Sequence, residues 1–244
     1  MSQKSGTRLS ESTHETTMES GAMLSCVDLA KTYVSERREV DAVKGINIAV
    51  QPGEFTSIVG RSGSGKSSFL AMIGGLSRPS RGKIRIEDTD VWSLSDDHLA
   101  KFRNRRIGFV YQFASLLPTL RIIDNVALPA LLDRNQDAES AYGKAVVSLE
   151  QLGLSDYIDA YPAEISAGEQ RRAVIARALI NSPALLLADE PTSDLDEETE
   201  RQIMDQFRKL NREHGVTLMM VTHNLRLAEE TDRIIHLAGG RLAS

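Results

Sequence analysis

Apolar and polar positions change rhythm along the chain. From Leu24 onward, LSCVDLAKTYV, AVKGINIAV and GKIRIEDTDV are short β-like runs separated by turn residues such as the Pro52-Gly53 pair, and they predict a small antiparallel β layer. Between them, EFTSIV reads as a strand and FLAMIGGL as a helix. Farther on, the apolar runs RIGFVYQ, PALLLAD, TLMMVTH and RIIHLA alternate with helical patterns, as in a wound, mostly parallel sheet. Residues from about Ser95 to Arg177 are mostly helical in pattern with one interposed strand, and Gly239-Gly240 turns a terminal hairpin. The expected class is α/β. Residues 1–22 hold Ser, Thr and Glu with almost no large apolar side chain, which cannot offset the entropy of ordering, so a flexible polar tail is expected ahead of a domain over 23–244.

Composition narrows the functional classes. At 244 residues, 41% hydrophobic and 26% charged, the chain is long enough for one large α/β domain or two small ones. A formal charge of 29 − 34 = −5, with no dense Lys/Arg block, argues against nucleic acid as a partner. A single cysteine, Cys26, leaves no internal disulfide framework or multi-cysteine zinc site and suits a reducing compartment. No apolar run approaches the ~18 residues that span a bilayer, and the first residues lack the basic-then-apolar order of a secretion signal. A cytoplasmic location is expected.

Candidate chemistry begins where EFTSIV runs into GRSGSGKSS, residues 60–68. Gly60, Gly65, Lys66 and Ser67 satisfy G-x-x-x-x-G-K-S between a strand and a helix, the context of a phosphate-binding P-loop. Arg61, Ser62, Gly63, Ser64 and Ser68 complete a loop that would contact a nucleotide triphosphate, its glycines letting successive N–H groups point at phosphate oxygens. Lys66 would neutralise the β- and γ-phosphates, and Ser67 would ligate Mg²⁺. A Gly/Ser loop that only turns is the plain alternative. PALLLADEP supplies Asp189 at the end of an apolar strand, to hold magnesium through water. Glu190, beside it, would polarise the attacking water in an in-line phosphoryl transfer; a solvated strand end is the plain alternative for the pair.

Residues 164–179, EISAGEQRRAVIARAL, resemble the signature of the ATP-binding cassette (ABC) family, L-S-G-G-Q/E followed by a basic, alanine-rich helix. Ser166, Gly168 and Glu169 match it. Ser166 and Glu169 also fit S-x-x-E, a capping box that starts a helix without a ligand, and both readings can hold together. Ala167 departs from the family glycine; its β-carbon could crowd a phosphate, or cost roughly 1 kcal/mol if the backbone there is left-handed. The resemblance extends over nearly all of residues 24–242 and implies an ATPase with ATP and Mg²⁺ as cofactors. Its fold would be a P-loop core with an antiparallel β layer and an inserted α-helical subdomain at about 95–177. It further implies that Tyr33 stacks on adenine, Gln112 reaches Mg²⁺ and His223 contacts the γ-phosphate. Ser166, Gly168, Glu169 and Asp194, the last in Ser193-Asp194-Leu195-Asp196, would face the ATP on a second copy's P-loop in a head-to-tail homodimer. Each also has a structural alternative: a strand tyrosine, a strand-end amide, a structural histidine, an acidic helix start.

Within the family, YQFASLLPTLRIIDNVALPALL, residues 111–132, is similar to the lipoprotein-release, macrolide-export and cell-division branch. That likeness implies docking on an integral membrane permease, and hence a peripheral position on the cytoplasmic face of the membrane. Ordinary helix packing is the alternative for these apolar residues. ATP use that signals across the membrane without moving a substrate is the alternative function, and sequence does not separate it from transport.

Overall fold

Two sheets divide the work of the chain. The computed structural model describes residues 21–35, 38–133 and 136–243. The expected polar tail over 1–22 therefore lies outside the described residues except at its end, where Ala22 is already buried. The smaller sheet is antiparallel, in the order β2-β1-β4-β5, from β1 (Leu24–Ser35), β2 (Arg38–Val50), β4 (Arg81–Ile86) and β5 (Thr89–Asp90). GKIRIEDTDV thus forms two strands, broken at Glu87, whose φ of 52° is left-handed.

The larger sheet has the order β10-β9-β3-β8-β7-β6. Its strands are β3 (Phe55–Val59), β6 (Ile107–Val110), β7 (Leu185–Asp189), β8 (Thr217–Val221), β9 (Arg233–Ala238) and β10 (Arg241–Leu242). Only β10 runs antiparallel to its neighbour. Every residue of β3 and β8 is buried, as continuous apolar runs require when helices or a second sheet cover both faces. One face carries a core of Leu24, Leu29, Ile46, Phe69 and Ile84, pressed by the small sheet and α1 (Lys66–Ile73). The other is covered by α3 (Ile122–Leu131), α4 (Ala138–Gln151), α5 (Ala167–Leu179) and α6 (Glu197–His214), through Val126, Leu149, Val174, Met204 and Phe207. Burying each such side chain contributes about 1.5–3 kcal/mol, so both faces are needed.

Four helices, α2 (Asp96–Arg106) and α3 to α5, fall between residues 96 and 179 with β6 alone among them. β6 stops at Val110, so Tyr111 and Gln112 lie beyond the strand that RIGFVYQ predicts. The stretch from there to α3 has no regular structure, and its peptide groups need partners elsewhere. Buried Asn125 supplies several: its side-chain oxygen accepts from Leu117 N–H at 2.7 Å, and its amide donates to the carbonyls of Leu117, Leu120 and Arg121. A four-residue helix, α7 (Leu225–Ala228), leads into β9.

Candidate functional site

Parallel strands place their C-terminal ends along one edge, where ligands of open α/β sheets bind. At that edge β3 turns through residues 60–65 into α1, whose N-cap is Gly65, with φ 101° and no capping side chain. A β-carbon on Gly65 would overlap the Ala42 carbonyl oxygen, and one on Gly60 the Leu237 carbonyl oxygen. The loop is therefore wedged between β2 and the terminal hairpin, and the Gly240 N–H donates to Ser64 O at 3.0 Å. Lys66 is buried, and its ammonium donates to the carbonyls of Gly60 at 2.8 Å and Arg61 at 3.2 Å.

β7 and β8 deliver the acidic side. Asp189 and Val221 are register partners at the ends of these strands. The Ser67 hydroxyl donates to Asp189 Oδ1 at 3.4 Å. Burial pushes the Asp189 carboxyl above its ordinary pKa, aided by the neighbouring Glu190 charge and opposed by the Ser67 hydrogen bond and Lys66. Such a carboxylate gains from a nearby cation. Among the described residues no group of three or more His, Cys, Asp or Glu side chains could hold a metal ion. Ser67 and Asp189 instead offer one hydroxyl and one carboxylate, hard oxygen donors that suit Mg²⁺ completed by water and phosphate. The chain leaves β7 through Glu190, left-handed at φ 49°, a strained conformation for a non-glycine residue and one common at functional sites. Its carboxylate lies 2.8 Å from His223 Nδ1.

Tyr33, Ser62, Gly63, Ser64, Gly65, Lys66, Ser67, Ser68, Gln112, Glu190 and His223 line one open cleft of about 600 Å³. Tyr33 holds its place through β1, with its hydroxyl 3.3 Å from Ser68 Oγ and the Lys31 ammonium 5.0 Å from the ring centre. Ser166, Gly168, Glu169 and Asp194 are not among the lining residues. Ser166 caps α5 and closes a box with Glu169: its hydroxyl accepts from Glu169 N–H, while the Glu169 carboxylate accepts from the Ser166 N–H and hydroxyl, both at 2.7 Å. Ala167 is the first residue of α5 and is not left-handed, so the strain that a left-handed backbone would bring does not arise. Gly168 faces Thr199 on α6, whose methyl would lie 2.8 Å from an added β-carbon.

Residues 43–193 match the ABC transporter family. The chain belongs to this family. The cassette is 44% identical over 222 residues to the lipoprotein-releasing system ATP-binding protein LolD of Myxococcus xanthus (strain DK1622), covering 91% of this chain and 99% of that protein. It is 44% identical over 214 residues to the uncharacterized ABC transporter ATP-binding protein YbbA of Escherichia coli (strain K12), covering 88% and 93%. A dimeric structure of a post-hydrolysis state of the ATP-binding cassette MJ0796, bound to ADP and Pi, matches with a TM-score of 0.84 at 38% identity, covering 91% and 97%. The chain is an ABC-type ATPase.

Sequence patterns leave two parts of the cassette unmarked. Val40, Asp41 and Ala42 line the cleft opposite Tyr33, brought there by the β1–β2 register that pairs Tyr33 with Val40. Arg171, in the signature helix, is buried, and its two terminal nitrogens donate to the carbonyls of Tyr111 and Gln112. The signal for the second was an arginine inside the alanine-rich buried face of a helix, RRAVIARAL.

Proposed function

We propose that the chain is the nucleotide-binding subunit of an ABC transporter, hydrolysing ATP in a head-to-tail dimer that drives a separate membrane permease. The observation that carries this reading is the convergence of Lys66, Ser67, Glu190 and His223 on one cleft while Ser166 and its helix lie outside it. A site so divided has its phosphate-binding half in one copy and its signature half free for the other. ATP would lie with adenine against Tyr33 and its phosphates in the loop from Gly60 to Ser68. Lys66 would move from the Gly60 and Arg61 carbonyls to the β- and γ-phosphates. Ser67, Gln112 and Asp189 would hold Mg²⁺, which supplies charge neutralisation on the phosphate oxygens. Glu190 would accept a proton from the water that attacks the γ-phosphorus, as the bond to the ADP oxygen breaks. His223, bonded to Glu190, would orient that carboxylate and contact the γ-phosphate. Ser166, Gly168, Glu169 and Asp194 would complete the site from the second copy, as the dimeric state of the MJ0796 structure supports.

The permease would dock on an apolar groove of about 380 Å³ between α2, β6 and α3, lined by Phe109, Tyr111, Leu128, Pro129 and Leu132. Phe113, in the irregular stretch before α3, and Leu132, just after it, stand 74% and 69% exposed, apolar surface open to a partner. Leu116 packs against the core instead, so within residues 111–132 it is a poor probe of docking. No helix among the described residues is long and apolar enough to cross a membrane, which fits an ATPase held at the cytoplasmic face by its permease. LolD of Myxococcus xanthus is by its name the ATP-binding protein of a lipoprotein-releasing system, and that branch is the one proposed here.

Glu190→Gln tests the centre of this reading. It keeps the shape, removes the proton acceptor and should leave ATP binding intact while slowing hydrolysis by roughly two orders of magnitude. The variant should accumulate as an ATP-bound dimer in light scattering, with ATP but not ADP. A bulky residue at Ser166 in the same background should abolish that dimer. Hydrolysis at the unmutated rate would remove Glu190 from its role.

A further inference from the structure

We propose that Arg171 is a positioning residue that ties the signature helix to the loop carrying Gln112, so that Ser166 reaches the second nucleotide only when that loop is in place. Arg171 donates to two successive carbonyls, those of Tyr111 and Gln112, from one planar guanidinium. That fork is what distinguishes arginine from lysine at a paired acceptor. The loop it grips has no helix or strand of its own, and a second arginine of the same helix grips it again. Arg177 donates to the Ser115 carbonyl at 2.8 Å and the Ser115 hydroxyl at 2.7 Å. Attachment at two points along α5 transmits rotation as well as translation.

Packing alone would not favour this arrangement. The Arg171 guanidinium is buried, and its Nε has no hydrogen-bond partner. An unsatisfied buried donor is destabilising, and an apolar side chain of similar size would fill the space without that cost. Burial lowers the Arg171 pKa, opposed by the charge of Asp194 on the loop that follows Glu190. One side chain is thus coupled to the loop of Gln112 and, through five residues of continuous helix, to Ser166.

This inference rests on the reading that Ser166 contacts a nucleotide bound by another copy. The test uses the full chain in the Glu190→Gln background, comparing parent, Arg171→Lys and Arg171→Met for ATP-dependent dimerisation by light scattering and for affinity of the monomer toward a fluorescent ATP analogue. Dimerisation should weaken by about tenfold or more in both variants, the scale of coupling between distinct sites, while analogue affinity stays at the parent value. Full dimerisation in Arg171→Lys would show that charge suffices and overturn the fork. Full dimerisation in both, a matched loss of analogue affinity, or failure of both variants to fold would each reduce Arg171 to a structural brace and overturn the proposal. A parent that does not dimerise with ATP would sink the underlying reading itself, an outcome distinct from all of these.

Discussion

The starts of α1 and α5 are chemically the same object, a turn of backbone N–H groups at the positive end of a helix, finished in opposite ways. At α1 the N-cap is a left-handed glycine and no side chain takes the free N–H groups. At α5 Ser166 and Glu169 satisfy each other in a closed capping box. The first end depends on surrounding backbone for its shape, with Ala42 on one side and Leu237 on the other, and is suited to an anion. The second is self-sufficient and can face solvent until a partner arrives. The cleft is therefore specified by tertiary structure, and the signature end largely by local sequence, with Tyr157 adding one bond to Glu169 from outside.

That contrast can be broken most violently at Gly65. Gly65→Ala should cost about 3 kcal/mol or more, from the left-handed torsion and the overlap with Ala42, and calorimetric titration should detect no ATP binding. Normal binding would mean that backbone packing does not shape the loop. Next in size is Lys66→Ala, which removes a buried cation from the proposed phosphate site and should weaken ATP by about 100-fold, with hydrolysis lost alongside. At the other helix the effects should be smaller and of another kind. Glu169→Ala opens the capping box and should lower folding stability by about 1 kcal/mol in thermal melts, leaving the ATP affinity of the monomer untouched.

The same substitution has a pH signature. Hydrogen bonds from the Ser166 hydroxyl and N–H, and from the Tyr157 hydroxyl, hold the Glu169 carboxyl below its ordinary value of 4.5. A depressed carboxylate stabilises the fold fully above the ordinary value, and that contribution is lost as pH falls through the lower folded one. The stability gap between parent and Glu169→Ala should thus be complete above pH 4.5 and close in more acid solution. A gap independent of pH would mean the box contributes through shape alone. The smallest effect is expected of Ala167→Gly. With no left-handed strain to relieve, glycine at this first helical position brings its poorer helix propensity, at most about 1 kcal/mol, and the ATP-bound dimer should tighten only if the alanine β-carbon crowds the second copy's phosphate.

What the sequence reveals about the fold follows the same division. Strands buried on both faces announce themselves as apolar runs, and the loop from Gly60 to Ser68 by its spacing, because in both cases the constraint lies within a few residues. The β1–β2 register that brings Val40 to Ala42 opposite Tyr33 is invisible to periodicity, which reports burial but not partners. Arg171 is hidden for a similar reason: its acceptors are main-chain carbonyls about sixty positions away, and carbonyls carry no side-chain identity. At Ala167 the structure settles a conditional: the backbone there is not left-handed, so of the two effects open to its β-carbon only the crowding of a phosphate remains.

The strand order β9-β3-β8 has a consequence in time. As the chain emerges from a ribosome, β3 and the loop after it appear early, yet both strands that flank β3 lie more than 150 residues later. Until β8 and then β9 are made, β3 has an unpaired edge on each side, and Leu237 and Gly240 are not there to hold the loop. Pairings between such distant segments form slowly and leave apolar edges open to aggregation. The nascent protein should gain its affinity for nucleotide late and in a single step, after nearly all of its length is synthesised.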